Sequence, residues 1–312
     1  MPVAISTMDL TKRFPGVTAV DHLQFEVHAG EIFGLVGPDG AGKTTTLRML
    51  AGVLIPDSGS ATVAGCDIIR DPETAKAHIS YMPQRFGLYE DLTVDENIRF
   101  YADVFDVARG DREQRTGQLL EAAGMSQFRN RLAGKLSGGM KQKLGLVCAL
   151  IHRPRVILLD EPTNGVDPVS RRDFWRILYS LLEQGIAILM STAYLDEAER
   201  CHRVALLHQG HILFCETPAE LKQHLRGAVL SVVSSDPRRV RAALNNAEGV
   251  LNALLVGDGV HLVVDQAVRR IPELKLRLQT AGISFDRLEE VLPTIEDLFV
   301  AATTSEKDRG TK

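Results

Sequence analysis

Short, uninterrupted apolar runs alternate with helical stretches over the first 216 residues of the chain. Such runs are typical of buried, mostly parallel strands, and the alternation predicts an α/β fold. The predicted strands of this kind are Ile32–Val36, Val156–Leu159, Ile186–Met190 and Val204–Leu207. The first 30 residues and the stretch from Gly59 to Ile69 read instead as short strands with turns. They predict a small antiparallel sheet beside the main one.

The pattern changes near residue 216 and again after Gly227. From there the order is strand, helix, strand, a Gly257-Asp258-Gly259 hairpin turn, strand, helix, and a final strand and helix. The predicted elements with clear bounds are Val229–Val233, Pro237–Asn245, Val250–Val256, Val260–Val264 and Arg269–Ala281. This order predicts a small ferredoxin-like α+β domain over residues 227–303.

The region after residue 227 offers no chemical motif. Its His261 is predicted to be packed or solvated rather than a ligand. The charged residues Asp236, Arg238, Arg239 and Arg241 are predicted to form a solvated helix face. Residues 304–312 are polar, and we expect a disordered tail there.

Composition agrees with a globular protein and excludes a few classes. The chain has 312 residues, which allows two domains, and a net charge of −4, which argues against a nucleic-acid binder with a broad basic surface. Its four cysteines have no metal-ligand spacing and read as reduced thiols: Cys66, Cys148, Cys201 and Cys215. No apolar run approaches the roughly 20 residues of a membrane helix, and no signal peptide is evident.

Candidate chemistry begins with the segment Gly37–Thr45, which reads GPDGAGKTT and follows the first predicted buried strand. Its glycines, Gly37, Gly40 and Gly42, allow backbone N–H groups to converge on an anion. Lys43 can then reach the β- and γ-phosphates, and Thr44 can offer its hydroxyl to Mg²⁺. The segment predicts a site for ATP or GTP.

A second motif follows another buried strand. Asp160 and Glu161 come directly after Val156–Leu159, at the strand end where ligands of α/β sheets sit. Asp160 suits a Mg²⁺ site, and Glu161 suits a base or an orienting group for the attacking water. Leu136–Gln142 reads LSGGMKQ and places Ser137, Gly138 and Gly139 at a helix start, a second anion-binding arrangement that a single site does not need.

These motifs, in this order, resemble the nucleotide-binding subunits of ATP-binding cassette (ABC) transporters over roughly residues 3 to 220. The resemblance implies a RecA-like P-loop NTPase domain over 1–220, with a helical subdomain at about 85–155. It implies that the phosphate loop, including Asp39, Ala41 and Thr45, holds ATP. It also implies that LSGG reaches across a dimer to the γ-phosphate held by the other subunit. By position, Phe14 matches the aromatic that stacks on adenine, Gln84 the Q-loop glutamine near Mg²⁺ and water, and Asp167 the D-loop.

The segments FGLYEDLTVDEN and KLSGGMKQKLGL, together with the extra C-terminal domain, resemble ABC-2 type exporters, especially bacterial multidrug subunits. The implied mechanism has two cassettes that close around two ATP molecules and move membrane permeases through the segment at Gln84. The resemblance places the chain peripherally at the cytoplasmic face of the inner membrane. It implies a dimer-stabilising or regulatory role for residues 227–303.

Two positions depart from the family pattern. Ala193 stands where the family has a histidine that contacts the γ-phosphate, and Asp39 stands where asparagine is usual. Loss of one such contact typically lowers turnover by about 10²–10³-fold, so we expect slow hydrolysis at this site. The hydroxyls of Thr192 and Tyr194 are candidates to replace part of that contact. Asp39 is expected to turn outward and make a local turn contact.

Because LSGG and Glu161 are intact while the histidine is absent, a heterodimer with a second cassette is the favoured arrangement, and a homodimer is the alternative. A different class also stays open. Soluble cassette ATPases of iron–sulfur assembly bind a scaffold instead of a permease. Co-purification with an integral-membrane permease would separate the two.

Overall fold

The computed structural model describes the backbone of residues 1–309 and the side chains of residues 1–303. The chain divides between Cys215 and Glu216 into two compact units. The first unit contains strands β1 Val3–Phe14, β2 Val17–His28, β3 Ile32–Val36, β4 Ser58–Val63, β5 Cys66–Asp67, β6 Ile79–Met82, β7 Val156–Asp160, β8 Ala187–Thr192, β9 Arg203–His208 and β10 His211–Glu216. Its helices are α1 Lys43–Leu50, α2 Pro72–Lys76, α3 Val94–Val104, α4 Arg109–Ala122, α5 Gly138–Leu150, α6 Pro168–Leu182 and α7 Leu195–Ala198.

A six-stranded sheet in the order β10-β9-β3-β8-β7-β6 forms the centre of the first unit. The five strands from β9 to β6 are mutually parallel. Every residue of β3, β7 and β8 is buried, as expected for a parallel sheet covered on both faces. The carboxyl ends of β3, β6, β7 and β8 therefore meet at one edge, and the loops that carry the sequence motifs start there.

A second, antiparallel sheet in the order β2-β1-β4-β5 packs on the same core. Ile5 and Val20 from this sheet share one buried cluster with Leu47 of α1 and with Leu158 and Leu189 of the central sheet. The predicted small antiparallel sheet is thus present, but β1 and β2 are longer than expected. Each spans 12 residues.

Helices α3, α4 and α5 lie between β6 and β7, within the predicted helical segment 85–155. Helix α3 begins with a capping box, in which Thr93 and Glu96 each accept a backbone hydrogen bond from the other. Helix α5 begins at the LSGG motif, with Ser137 as its N-cap. Buried Cys148 lies in α5 and buried Cys201 follows α7, and burial raises the pKa of both thiols.

The second unit has the strands β11 Ala228–Val233, β12 Val250–Val256, β13 Gly259–Val264 and β14 Arg287–Val291. Its helices are α8 Pro218–Gln223, α9 Pro237–Leu244, α10 Ala267–Thr280 and α11 Ile295–Arg309. The strand order is β12-β13-β11-β14, and each neighbouring pair is antiparallel. Helices follow the first and third strands, so the order and pairing agree with the predicted ferredoxin-like arrangement.

Two boundaries differ from the sequence expectation. The predicted end of the first domain, residue 220, falls inside α8, which Thr217 caps and which packs against α11 of the second unit. The helix α11 continues to Arg309, within the tail that was expected to be disordered. No proline or glycine interrupts residues 295–309, so the sequence gives no signal that stops the helix. Residues 310–312 of that tail lie outside the described residues.

Candidate nucleotide-binding site

The phosphate loop runs from the end of β3 to the start of α1. Gly42 precedes the helix with φ 103°, a conformation that L side chains rarely adopt. A Cβ at this position would lie 2.3 Å from the carbonyl oxygen of Ala19. Glycine is therefore required here for two reasons, and it leaves the N–H groups at the start of α1 facing the loop.

Lys43 is the first residue of α1, and its side chain is only 4% exposed. Its ammonium group donates to the carbonyl oxygens of Gly37, at 2.7 Å, and Pro38, at 3.0 Å. It also lies 3.4 Å from Oε1 of Glu161. The cation thus bridges the two predicted motifs, from β3 and β7.

Asp160 ends β7 and is buried among hydroxyl groups. Its Oδ1 accepts hydrogen bonds from Thr44, at 3.0 Å, and from Ser191 of β8, at 2.6 Å. The hydroxyl of Tyr81 lies 3.4 Å from Oδ2, and burial raises the pKa of that phenol. The Thr44 hydroxyl and the Asp160 carboxylate are hard oxygen donors brought together at one point. This donor set fits Mg²⁺, which proteins bind through one or two carboxylates plus phosphates and water.

Glu161 has a backbone φ of 46°, which is unusual for a residue with a side chain. Its N–H donates to the hydroxyl of Ser191 at 3.0 Å, which holds this conformation. Its Oε2 accepts from the amide nitrogens of Gln84, at 3.1 Å, and Asn164, at 3.2 Å. The carboxylate is therefore fixed by Gln84 from the segment after β6, by Asn164 from its own turn and by Lys43 of α1.

Of these residues, Lys43, Thr44, Gln84 and Glu161 line one cleft of about 530 Å³. Its lining includes Phe14, Val17, Ala19, Asp39, Gly40, Ala41, Gly42, Lys43, Thr44, Thr45, Gln84 and Glu161. Phe14 ends β1 with its ring 42% exposed and with the ammonium group of Lys12 at 5.7 Å from the ring centre. Asp39 is exposed at the cleft, and among the described contacts its side chain makes no hydrogen bond, so the expected turn contact is absent.

The LSGG segment lies elsewhere in the unit, outside the set of described residues that line the cleft. Ser137 accepts a hydrogen bond from the N–H of Met140 at 3.3 Å and so caps α5. A Cβ on Gly139 would lie 2.3 Å from Ser170, so only glycine allows α5 to approach α6 this closely. Asp167 caps α6 by accepting a hydrogen bond from the N–H of Ser170. This hydrogen bond lowers the pKa of the Asp167 carboxyl group. These residues with Gly138 form a second group, separate from the cleft.

The position of the missing histidine lies just after β8. Ala193 is exposed there and is absent from the described lining of the cleft. The hydroxyl of Thr192 accepts from the N–H of Tyr194 at 2.9 Å, and the hydroxyl of Tyr194 donates to Oδ1 of Asn164 at 3.2 Å. The Tyr194 hydroxyl is thus directed to a protein group, and neither Thr192 nor Tyr194 belongs to the described lining of the cleft.

Sequence reasoning missed Ser191 and Asn164. Ser191 pairs directly with Asp160 across β7 and β8, a register that the sequence does not state. A polar residue at the carboxyl end of a fully apolar strand was the available signal. Asn164 follows Glu161 by three residues, in the turn that leads to α6, and has no comparable signal.

Comparison with known proteins tests the family that the sequence motifs predict. The family model described as "ABC transporter" matches residues 20–164. The chain is 35% identical over 304 residues to the "Daunorubicin/doxorubicin resistance ATP-binding protein DrrA" of Streptomyces peucetius, covering 92% of this chain and 91% of that protein. This chain belongs to the ABC transporter ATP-binding proteins. The predicted family is confirmed.

Two further comparisons show how much of a relative's length the chain covers and which solved structure has a similar fold. The chain is 45% identical over 317 residues to the "Probable multidrug ABC transporter ATP-binding protein YbhF" of Escherichia coli (strain K12), covering 98% of this chain and 54% of that protein. The chain thus spans about half the length of this relative. A solved "ATP binding subunit of ABC transporter" superposes with a TM-score of 0.65 at 29% identity, covering 70% of this chain and 92% of that one.

The Escherichia coli relative and the solved structure carry ABC transporter names, so the soluble iron–sulfur assembly alternative is not favoured. Within the described residues, no helix of this ABC protein is both long and apolar enough to span a bilayer.

Proposed function

We propose that this chain binds and hydrolyses ATP as the nucleotide-binding subunit of an ABC-2 type membrane exporter. The observation that carries the proposal is a single cleft in which a buried ammonium group, Lys43, and a fixed carboxylate, Glu161, face each other at 3.4 Å. An exposed aromatic ring, Phe14, lies on the same cleft. ATP hydrolysis needs these three features: a cation for the phosphates, a carboxylate for the attacking water and an aromatic surface for the adenine ring.

In this proposal the adenine stacks on Phe14, and the phosphates bind the loop. The backbone N–H groups of the loop and the start of α1 donate to the phosphate oxygens. These loop residues are Asp39, Gly40, Gly42, Thr44 and Thr45. Gly37 and Ala41 complete the proposed loop, and their N–H groups donate to the carbonyl oxygens of Thr192 and Pro38. Lys43 leaves the carbonyl oxygens of Gly37 and Pro38 and donates to the β- and γ-phosphates, which offer a full negative charge instead of a dipole.

Thr44 and Asp160 would hold Mg²⁺, with the amide oxygen of Gln84 as a further donor. The ion would neutralise charge on the phosphates when it is bound. The Gln84 amide nitrogen already faces Glu161, so its oxygen is the atom on the opposite side of the amide. This arrangement lets Gln84 connect the metal site to the carboxylate.

Glu161 is the proposed general base. Its carboxylate orients the attacking water and accepts its proton, while Lys43 stabilises the charge that develops on the γ-phosphate. The contacts from Gln84 and Asn164 hold the carboxylate before ATP arrives. This preorganisation is what an efficient base requires.

The cleft is half of a composite site in this proposal. Ser137, Gly138 and Gly139 serve the γ-phosphate bound by a second cassette, and Asp167 lies beside them. Two cassettes then close around two ATP molecules. A heterodimer is favoured because this chain keeps its LSGG motif but has Ala193 at the position of the phosphate-contacting histidine, and a homodimer is the alternative.

Hydrolysis in this cleft is slow in the proposal. The methyl group of Ala193 cannot donate to the γ-phosphate, the Tyr194 hydroxyl already donates to Asn164, and Thr192 lies outside the described lining of the cleft. A lost donor of this kind lowers turnover by about 10²–10³-fold. The site is then better suited to hold ATP than to turn it over quickly.

The proposed partners are integral-membrane permeases at the cytoplasmic face of the inner membrane, and nucleic acid is not among them. Drug-resistance relatives, and the "Nod factor export ATP-binding protein I" of Burkholderia thailandensis at 38% identity over 242 residues, support export. The permease would select the substrate. Residues 227–303 are proposed to stabilise the dimer or regulate it.

Purification of the tagged full chain from detergent-solubilised membranes tests this proposal. We expect an integral-membrane protein to co-purify in a fixed ratio, and the complex to hydrolyse ATP. Recovery with soluble partners alone, in a complex that hydrolyses ATP, would replace the exporter with a soluble assembly function. A complex without ATP hydrolysis would overturn the enzymatic assignment.

A further inference from the structure

A chain of hydrogen bonds connects Tyr194 to Glu161. The Tyr194 hydroxyl lies 3.2 Å from Oδ1 of Asn164, and Nδ2 of Asn164 lies 3.2 Å from Oε2 of Glu161. Tyr194 directly follows Ala193, the position that lacks the histidine. Two side chains therefore connect the loop after β8 to the carboxylate in the cleft.

The direction of this chain follows from chemistry. A carboxylate only accepts hydrogen bonds, so the amide nitrogen of Asn164 must face Glu161. The amide oxygen then faces Tyr194, and an oxygen of this kind also only accepts. The tyrosine hydroxyl must be the donor, and the three groups form one consistent sequence of donor and acceptor.

Tyr194 is held from two other directions. Its N–H donates to the Thr192 hydroxyl at 2.9 Å, and the guanidinium carbon of Arg171 lies 4.7 Å from its ring centre. Arg171 in turn lies 3.8 Å from a carboxylate oxygen of the fully buried Glu197. A ring fixed by a cation–π contact and by its backbone can fix the next group in the chain.

The two oxygens of Glu161 have different neighbours. Oε1 faces Lys43 at 3.4 Å, whereas Oε2 accepts from both Gln84 and Asn164. In the proposed function Lys43 turns to the phosphates when ATP binds. The contacts at Oε2 then hold the base, and one of them depends on Tyr194.

We propose that Tyr194 is a positioning residue that orients Glu161 through Asn164. It acts on the base and not on the phosphate, in a loop that has lost its direct phosphate contact. The assignment rests on the proposed function, because it requires Glu161 to act on water. Tyr194 itself does not belong to the described lining of the cleft.

The test is single-turnover ATP hydrolysis by the co-purified membrane complex with Tyr194→Phe in this chain, and with the complex in excess over ATP. We expect the rate to fall roughly three- to tenfold, the usual value of one neutral hydrogen bond. The affinity for ATP should not change, because the hydroxyl does not face the cleft. An unchanged rate at unchanged affinity overturns the assignment.

Tyr179→Phe is the matched control. Its hydroxyl donates to the carbonyl oxygen of Arg200 at 3.0 Å, and its exposure, 40%, is close to the 38% of Tyr194. It removes one similar hydrogen bond outside the site, so its rate should equal the wild-type rate. An equal fall in both variants would show a general loss of order and would overturn the assignment.

A double-variant cycle distinguishes positioning through Asn164 from other effects. If Tyr194 acts through Asn164, Tyr194→Phe should have no further effect in an Asn164→Ala background. Additive losses would overturn the route. A wild-type complex that hydrolyses ATP no faster than the same complex with Glu161→Gln in this chain would instead overturn the proposed function, and the positioning role with it.

Discussion

Two buried cations, one in each unit, differ in what surrounds them. The side chains of Lys43 and Arg270 are each 4% exposed. Arg270 makes two hydrogen bonds of 2.8 Å to Asp265 and one of 2.7 Å to Glu273, and it lowers the pKa of Asp265 to about 2. Lys43 has two carbonyl oxygens and one carboxylate at 3.4 Å.

The difference separates a structural cation from a binding one. A buried charge is tolerated when opposite charges and hydrogen bonds compensate it. Arg270 is fully compensated by carboxylates of its own domain. Lys43 is compensated mainly by dipoles, beside a cleft with room for an anion. Burial alone therefore does not distinguish a structural cation from a binding one. The number and charge of its partners distinguish the two.

The largest expected effect concerns the carboxylate opposite Lys43. Glu161→Gln keeps the shape of the side chain but removes the base, so ATP hydrolysis should fall by roughly 10²–10⁴-fold while ATP still binds. Phosphate release and ATP titration measure the two quantities. Glu121→Gln, an exposed glutamate of α4, removes the same charge away from the cleft and should change neither. A Glu161→Gln chain with the wild-type rate would contradict the role of this carboxylate.

A smaller effect, of opposite sign, is expected at the position after β8. Ala193→His restores a donor for the γ-phosphate, and we expect hydrolysis to rise by up to about 10²–10³-fold, the range that such donors provide. The rate at saturating ATP is the measurement. An unchanged rate would show that Ala193 does not limit turnover.

The smallest effect concerns an ionisable pair in the second unit. His261, expected to be packed or solvated, is half-buried with its Nδ1 3.1 Å from Asp297, and this hydrogen bond raises its pKa. Burial of Asp297 works to raise its own pKa, but the bonds from His261 and Thr294 outweigh burial and lower it. His261 and Asp297 thus form an ion pair within the second unit.

The sign of the pH dependence follows from these directions. A histidine with a raised pKa stabilises the fold fully below its unfolded value of about 6.5, and this stability is lost as pH rises through the folded value. The contribution of Asp297 is present above its unfolded value of about 3.9 and is lost as pH falls through its lowered one. Hydrogen exchange of β13 in the full chain should therefore be slower, after correction for intrinsic rates, at pH 5.5 than at pH 8. His261→Gln should reduce that difference, and an equal difference in the variant would contradict the account.

The sequence predicted the central strands well because their composition leaves little choice. Ile32–Val36 is predicted and observed with the same bounds, and Val156–Leu159 gains only Asp160. Strand β6, Ile79–Met82, was missed because Ser80 interrupts its apolar run. An uninterrupted apolar run was the usable signal, and a mixed segment lacks it.

The lengths of β1 and β2 were missed for a different reason. Asp9 and His22 both adopt φ 50°, and the register of the two strands shifts around them. These irregularities let each strand bend and continue. Polar residues at such points look like turns in the sequence, although the strand pairing continues on both sides of them.

The site also contains residues that the local sequence predicted and residues that it did not. The motif residues from Gly37 to Thr45, with Asp160 and Glu161, were predicted from local sequence, and the structure brings them together. The contacts of Ser191 and Asn164 depend on strand register and on the turn before α6, which local sequence does not determine. Side chains that hold a motif in place are therefore harder to predict than the motif.

The most direct test of the account is an ATP titration, in the presence of Mg²⁺, of two variants of the full chain, Lys43→Ala and Arg270→Ala. We predict that Lys43→Ala weakens ATP binding by roughly 10- to 100-fold, the value expected for a charge-assisted contact to phosphate. Arg270→Ala should bind ATP as the wild type does, while its second unit melts at a lower temperature. Wild-type affinity in Lys43→Ala would contradict the claim that this cleft is the nucleotide site.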